Sequence, residues 1–375
     1  MPASATTKNL KNPKQTAPGE GAVGPPGDSG IFIYVLLRCP RPAWILYGLL
    51  SKHRENISHK LWKIPDRGWQ AVKVIVTGGS GFIGTHTVEC LIRRGHEPYI
   101  ADLRRPARTD VPYSLCSILD SGKLHRLWKQ VKPDAVIHLA AQVSVSASMA
   151  DPLDDVRRNA EGTLRVLEAC RAHGTPRIVT ASSAAVYGAP LSLPVDETHP
   201  LRPVSPYGCS KLCMEAYVQT YARMAGIGYA ILRYANVYGP GQRVHGESGV
   251  AAIFADLMHR GMTPVIHGTG EQTRDFVYVA DVANANVTAA EREDSAIVNV
   301  STGRQTSVAE LAGLLQRFFG TGRGFGYAAP REGDIARSAL NPGKIERLWG
   351  WRAEVGIEEG IRRTAAYYSG KPKGS

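Results

Sequence analysis

Residues Val74-Ile-Val-Thr-Gly-Gly-Ser-Gly-Phe-Ile-Gly84 constrain this chain more than any other stretch. A β-branched run suited to a buried strand ends in glycines spaced as G-x-x-G-x-x-G from Gly78, or as G-x-G-x-x-G from Gly79, and an amphipathic stretch follows. The glycines allow a tight turn, and the backbone N–H groups of a helix start then face a pyrophosphate with positive potential behind them. Glycine turns alone are common, but here the next predicted strand ends in Asp102, whose carboxylate can accept ribose hydroxyls. Together the two read as a dinucleotide-binding unit. Asp102 would repel a 2′-phosphate and so favours NAD, while Arg104 and Arg105 beside it pull toward NADP.

The second informative segment is Tyr207-Gly-Cys-Ser-Lys211. Its Tyr and Lys lie four apart, so on a helix they share a face. A phenol with a reference pKa of about 10 is a poor base near neutrality, but an adjacent ammonium and a positive nicotinamide ring favour the phenolate. Upstream, Ser182-Ser-Ala-Ala-Val-Tyr-Gly188 follows a predicted strand and offers a hydroxyl, Ser183, to a reacting substrate oxygen. A glycine cradle and a Tyr/Lys pair in one chain point to a nicotinamide enzyme.

From Val72 onward, short β-branched runs alternate with longer amphipathic ones, the pattern of an α/β fold with a parallel sheet covered on both faces. Predicted strands are Val72 to Thr77, Tyr99 to Asp102, Ala135 to Leu139, Arg177 to Ala181 and Tyr229 to Leu232. Predicted helices are Phe82 to Arg94, Pro152 to His173 and Pro206 to Met224. After Asn236 the alternation breaks, which places a dinucleotide-binding domain over residues 72–235 and a substrate lobe over 236–370, with parts of 281–300 returning to the main sheet.

Residues 1–71 stand apart. Pro, Gly, Ser and Lys dominate the first thirty, a composition that cannot offset its ordering entropy, and the apolar pieces Ile31 to Leu37 and Ala43 to Leu50 fall short of the ~20 residues a bilayer needs. The expectation is a disordered extension, or one upstream of the native start, with no membrane partner. It also holds ten Lys/Arg against four Asp/Glu, half of the net charge of +12. The remainder is only mildly basic and lacks aromatic–basic interleaving, so no nucleic-acid partner is expected. Six cysteines without metal-ligand spacing read as reduced thiols of a cytoplasmic protein, and no metal is expected.

From Val72 to about Arg363 the chain resembles the extended short-chain dehydrogenases/reductases, and among them the UDP-glucose 4-epimerases. Beyond the two motifs above, the resemblance rests on His138-Leu-Ala-Ala-Gln-Val143, Asn159-Ala-Glu-Gly-Thr163, Leu232-Arg-Tyr-Ala-Asn-Val-Tyr-Gly-Pro240, Thr273-Arg-Asp-Phe-Val-Tyr-Val-Ala-Asp281 and Arg331-Glu-Gly-Asp334. It implies a Rossmann-type, doubly wound sheet of seven parallel strands with a smaller C-terminal nucleotide-sugar lobe. It also implies an isomerase of carbohydrate metabolism, and a homodimer paired through the helices near 152–173 and 206–224.

Residue by residue, the resemblance puts Gly78, Gly81, Phe82, Ile83, Gly84, Asp102, Ala140, Gln142 and Asn159 around NAD. Ser183, Tyr207 and Lys211 become the catalytic groups, the last two also touching cofactor. Asn236, Arg274, Arg331 and Asp334 would hold uridine diphosphate, and Ser338 would border the hexose 2-substituent. Ser117-Ile118 departs from the usual Asp-Ile or Asp-Leu near adenine, and Gln142 stands where some members carry Lys. Other readings stay open at this point: a 4-ketoreductase with the same triad, a dehydratase, disfavoured because Ala184 and Ala185 replace acidic residues, and a cofactor-binding protein without turnover.

Overall fold

The computed structural model describes residues 33–35, 47–49, 71–243, 249–320, 322, 324–330 and 335–370. Residues 1–68 and 69–375 form two separate units. In the first, the strands Ile33–Val35 and Tyr47–Leu49 pair antiparallel; of the extension expected over 1–71, the rest up to residue 70 lies outside the described residues.

In the second unit the run Lys73–Thr77 (β1) is buried from Val74 on, as its β-branched content dictates. The other strands of its sheet are Glu97–Asp102 (β2), Tyr113–Leu115 (β3), Ala135–His138 (β4), Arg177–Ser183 (β5), Gly228–Tyr234 (β6) and Ala296–Val300 (β7). Their order is β7-β6-β5-β4-β1-β2-β3, every pair parallel. The chain reverses its winding between β1 and β4, and in open α/β sheets ligands bind in the crevice beyond the strand ends at such a switch point.

Helix α1 (Phe82–Arg93) follows β1 and buries Val88 and Leu91 against the sheet, each worth about 1.5–3 kcal/mol. Helix α2 (Ser121–Val131) is capped by the Asp120 carboxylate, which accepts from the Lys123 N–H. The segment predicted as one helix over 152–173 is interrupted. After the short α3 (Val145–Ala150), α4 covers Pro152–Val156, a single π-type turn spans Arg157–Glu161, and α5 runs Gly162–His173. A π turn adds one residue to a single helical repeat, and no residue type marks where that slip falls.

Helix α6 (Pro206–Ala225) starts under the Ser205 cap with Pro at its first position and ends at Gly226, whose φ of 66° suits glycine. Residues Val279–Ala290 form a helix, α8, rather than a strand of the sheet. It packs against α1, tied there by the Arg94–Glu291 ion pair and by Asn286 donating to Thr87.

Helices α7 (Val250–His259), α9 (Val308–Phe319) and α10 (Ile357–Ser369) share a second core around Tyr238, Phe254, Leu311, Ile361 and Tyr368. Short strand pairs carry the loops of this region: Asn236–Tyr238 with Phe276–Tyr278, and Thr273–Arg274 with Thr306–Ser307.

Candidate functional site

The glycine turn after β1 is shaped by close approaches. Gly78 has φ 71°, and a Cβ there would sit 2.8 Å from the Ala140 nitrogen at the end of β4. A Cβ at Gly84 would lie 2.1 Å from the Gly78 carbonyl oxygen, so only glycine lets α1 come this near the turn. No side chain caps α1 and no acidic residue occupies its first turn. Gly81 donates its N–H to the Gly78 carbonyl at 3.0 Å, which leaves the opening N–H groups at Phe82 and Ile83 for an anion.

At the end of β2, Asp102 is buried, and its carboxylate accepts the Ser80 N–H at 3.0 Å and the Arg104 N–H at 3.0 Å. It is thus fixed beside the glycine turn, with lone pairs left for a diol. The Arg104 guanidinium stays 3.9 Å from it and largely exposed. A tight turn, an uncapped helix start and a fixed acceptor fit a dinucleotide that ends in an unphosphorylated ribose.

Three strands along, β5 ends in Ser183, whose hydroxyl accepts the Ala185 N–H at 3.2 Å. Tyr207 and Lys211 project from one face of α6, with the Lys211 Nζ 5.9 Å from the Tyr207 ring centroid. Burial pushes the Tyr207 phenol up to about 12, against which the Ser183 hydroxyl acts in the opposite sense. Burial likewise pulls the Lys211 ammonium down to about 8, partly offset by the charges of Asp155 and Glu215. Its Nζ donates to the Ala181 carbonyl at 3.0 Å.

Gln142 and Asn159 are placed near this pair, but their amides are turned inward. Gln142 Nε2 donates to Asp155 Oδ1 at 2.8 Å and to the Ser144 carbonyl. Asn159 Oδ1 accepts the Gln142 N–H, and its Nδ2 donates to Ser210 Oγ at 2.9 Å and to Asp155 Oδ1 at 3.2 Å. Behind Lys211 runs a second buried network. Glu215 accepts from Ser182 Oγ at 2.5 Å and from the Arg233 guanidinium at 2.9 and 2.6 Å, and Arg233 in turn donates to the Tyr187 hydroxyl, which donates to Asn299 Oδ1. His138 is wedged between the Thr77 and Thr163 hydroxyls, and burial pulls it down to about 3, so it is neutral.

Sequence reasoning assigned no role to Asp155 or to the Glu215–Arg233 pair. The i, i+4 spacing of Asp155 and Asn159 was the available signal for the first; nothing local signals the second.

Of the residues expected around a diphosphate, Asn236 is exposed at the start of its short strand. Arg274 Nη1 donates to the Thr273 and Ile335 carbonyls. The Ser338 N–H donates to the Thr273 carbonyl, which sets Ser338 next to the Arg274 strand. Asp275 anchors this region from beneath, accepting from Thr302, Gly303 and Leu340. Arg331 and Asp334 lie outside the described residues.

Among the described residues there is no His/Cys/Asp/Glu cluster able to hold a metal, and no helix is long and apolar enough to cross a membrane.

Comparison with known proteins agrees with this geometry. Residues 74–301 match the model of the NAD dependent epimerase/dehydratase family. A Methanocaldococcus jannaschii protein provisionally named UDP-glucose 4-epimerase is 43% identical over 297 residues, 77% of this chain and 96% of its own. The crystal structure of a Thermotoga maritima UDP-glucose 4-epimerase with UDP-glucose superposes with a TM-score of 0.76 at 38% identity, covering 79% of this chain and 98% of that one. A Thermus thermophilus UDP-glucose 4-epimerase in complex with NAD gives 0.75 at 39% identity, covering 80% and 99%.

Proposed function

We infer that this chain, which belongs to the NAD dependent epimerase/dehydratase family, is an isomerase that inverts C4 of a UDP-activated hexose of the glucose/galactose type. The observation that carries this reading is the placement of Tyr207, Lys211 and Ser183 at the carboxyl end of the sheet that also presents the Gly78–Gly84 cradle and Asp102.

The Gly78–Gly84 cradle and Asp102 would hold NAD, which would supply reversible hydride exchange at C4, the sugar passing through a 4-keto form that is reduced on its other face. Tyr207 accepts the C4 hydroxyl proton and later returns one. Ser183 positions that oxygen, and Lys211 would hold the cofactor ribose and favours the phenolate. Arg274 and Arg331 would grip the diphosphate, with Asn236 and Asp334 on the uridine side. Ser338, being small, leaves room for a 2-acetamido group. Ala184 and Ala185 bring no acid to the short helical turn after β5, which disfavours dehydration.

The same proposal covers residues 72–235 as the cofactor part and 236–370 as the sugar part. It includes a cytoplasmic homodimer, supported by exposed Met149, Leu153 and Val156 near α6 and by thiols at Cys90, Cys116, Cys170, Cys209 and Cys213 that are all unpaired.

Because hydride returns to the same sugar, epimerization gains nothing by releasing NAD. The purified protein should carry NAD and interconvert UDP-galactose and UDP-glucose without added cofactor, read by mass spectrometry and chromatography over a panel of UDP- and dTDP-hexoses. Cofactor-free protein that consumes NADH in step with product would make it a 4-ketoreductase instead.

A further inference from the structure

Asp155 is a carboxylate 1% exposed at the end of α4. Both of its hydrogen bonds, from Gln142 and Asn159, fall on Oδ1, while the equally buried Oδ2 has no hydrogen-bond partner among the described residues. A buried carboxylate in that condition is costly unless a cation lies near it. Arg157 and Arg158 on the following turn are mostly exposed, and Arg158 is paired with Asp154. The buried cation is Lys211, on the helix that α4 and the π turn pack against. The connection is physical: Asp155 holds Asn159, Asn159 holds Ser210, and Ser210 precedes Lys211 and donates to the Tyr207 carbonyl.

We propose that Asp155 is a positioning residue for the reaction, the buried counter-charge that keeps Lys211 an ammonium and fixes the pH range in which the Tyr207/Lys211 pair works. This rests on the epimerase reading above.

The groups facing Lys211 are Asp155 from α4, Tyr207 and Glu215 from α6, His138 from β4, and Arg233 from β6 through its pair with Glu215. His138 is neutral and Glu215 is already neutralised by Arg233, which leaves Asp155 as the uncompensated negative charge. It is also the first attraction acting on Lys211, and it holds the Tyr207 phenol up as well. Removing a negative charge lowers the pKa of every neighbour. An amide at 155 should therefore move both limbs of the pH profile to lower pH, the alkaline limb, where Lys211 loses its proton, by more.

The test is the pH dependence of kcat/KM for UDP-galactose in NAD-loaded wild type, Asp155→Asn, Asp155→Glu and, should the amide variant not fold, Asp155→Ser. The expected result is an alkaline limb displaced by about one unit in Asp155→Asn, a roughly tenfold loss above the wild-type midpoint. Asp155→Glu, which keeps the charge, should return the limb toward its wild-type position even if its maximum falls. Neutral variants whose profiles overlay the wild type, or lose only height, would overturn the proposal and leave Asp155 a packing residue. If wild type epimerizes no sugar, the functional reading fails separately. The phenolate absorbance difference between wild type and Tyr207→Phe, titrated with and without Asp155, then reads the same displacement without turnover.

Discussion

Replacing Tyr207 by Phe removes one oxygen and keeps the ring. Burial pushes the phenol up to about 12, and a group at that value is phenolate in only about one molecule in 10⁴ near pH 8, a deficit of roughly 5 kcal/mol. Lys211, pulled down to about 8, releases its proton before the phenol does unless its charge is held. Kept charged 5.9 Å from the ring centroid, an ammonium supplies about 3 kcal/mol at an effective dielectric of 20, close to two pKa units. Ser183 and the positive nicotinamide ring must provide the rest.

Without the phenol oxygen no acceptor stands at the C4 hydroxyl, and kcat should fall by about 10²–10⁴-fold, a barrier increase of roughly 3–5 kcal/mol. KM and melting temperature should hardly move, because the ring still fills its space. The assay is coupled conversion of UDP-galactose to UDP-glucose by protein with bound NAD. A folded, NAD-loaded Tyr207→Phe enzyme keeping more than about a tenth of wild-type kcat would refute this assignment of the base.

Other substitutions address separate parts. Gly84→Ala drives a Cβ into the Gly78 carbonyl at 2.1 Å, so NAD should be lost on gel filtration while far-UV dichroism is kept; a fully loaded variant would show that the turn yields. Glu215→Gln leaves the Arg233 guanidinium, side chain 3% exposed, without its counter-ion, which should cost about 3–5 kcal/mol and several degrees of melting temperature; an unchanged melting curve would contradict that. A chain beginning at Trp69, the first residue of the second unit, should match the full chain in melting temperature and turnover, and a large loss of either would show that residues 1–68 support the enzyme. Ser338→Tyr should selectively lose UDP-N-acetylhexosamines by a steric clash; equal loss of both substrate types would remove Ser338 as the gate.

The glycine cradle and the Tyr207/Lys211 pair were legible because each is local: a turn needs its glycines within seven residues, and a helical face needs its partners four apart. The five strands expected from β-branched runs all occur, with β5 and β6 each continuing two residues further, to Ser183 and Tyr234. Less legible was whatever depends on contacts between distant segments. Glu215 finds Arg233 across a helix and a strand, and Tyr187 finds Asn299 across 112 residues. The same limit applies to direction. Sequence places Gln142 and Asn159 beside the cofactor, yet only the fold reveals that their amides clamp Asp155 and Ser210. Of the stretch 281–300 expected to return in part to the main sheet, 296–300 does so as β7, whereas 279–290 forms α8, its Val and Ala content fitting either state until packing against α1 decides it.

Strand β7 reaches β6 only after the chain has left the sheet and built α7 and α8. On the ribosome, the first six strands therefore emerge with the long apolar edge of β6 unpaired and the face later covered by α8 open to water. Exposed edges and faces of this kind are where nascent chains associate wrongly. Residues 72–235 alone should therefore not fold as a self-sufficient unit. Expressed alone, they should demand chaperone assistance that the complete chain needs only until residue 300 has cleared the exit tunnel.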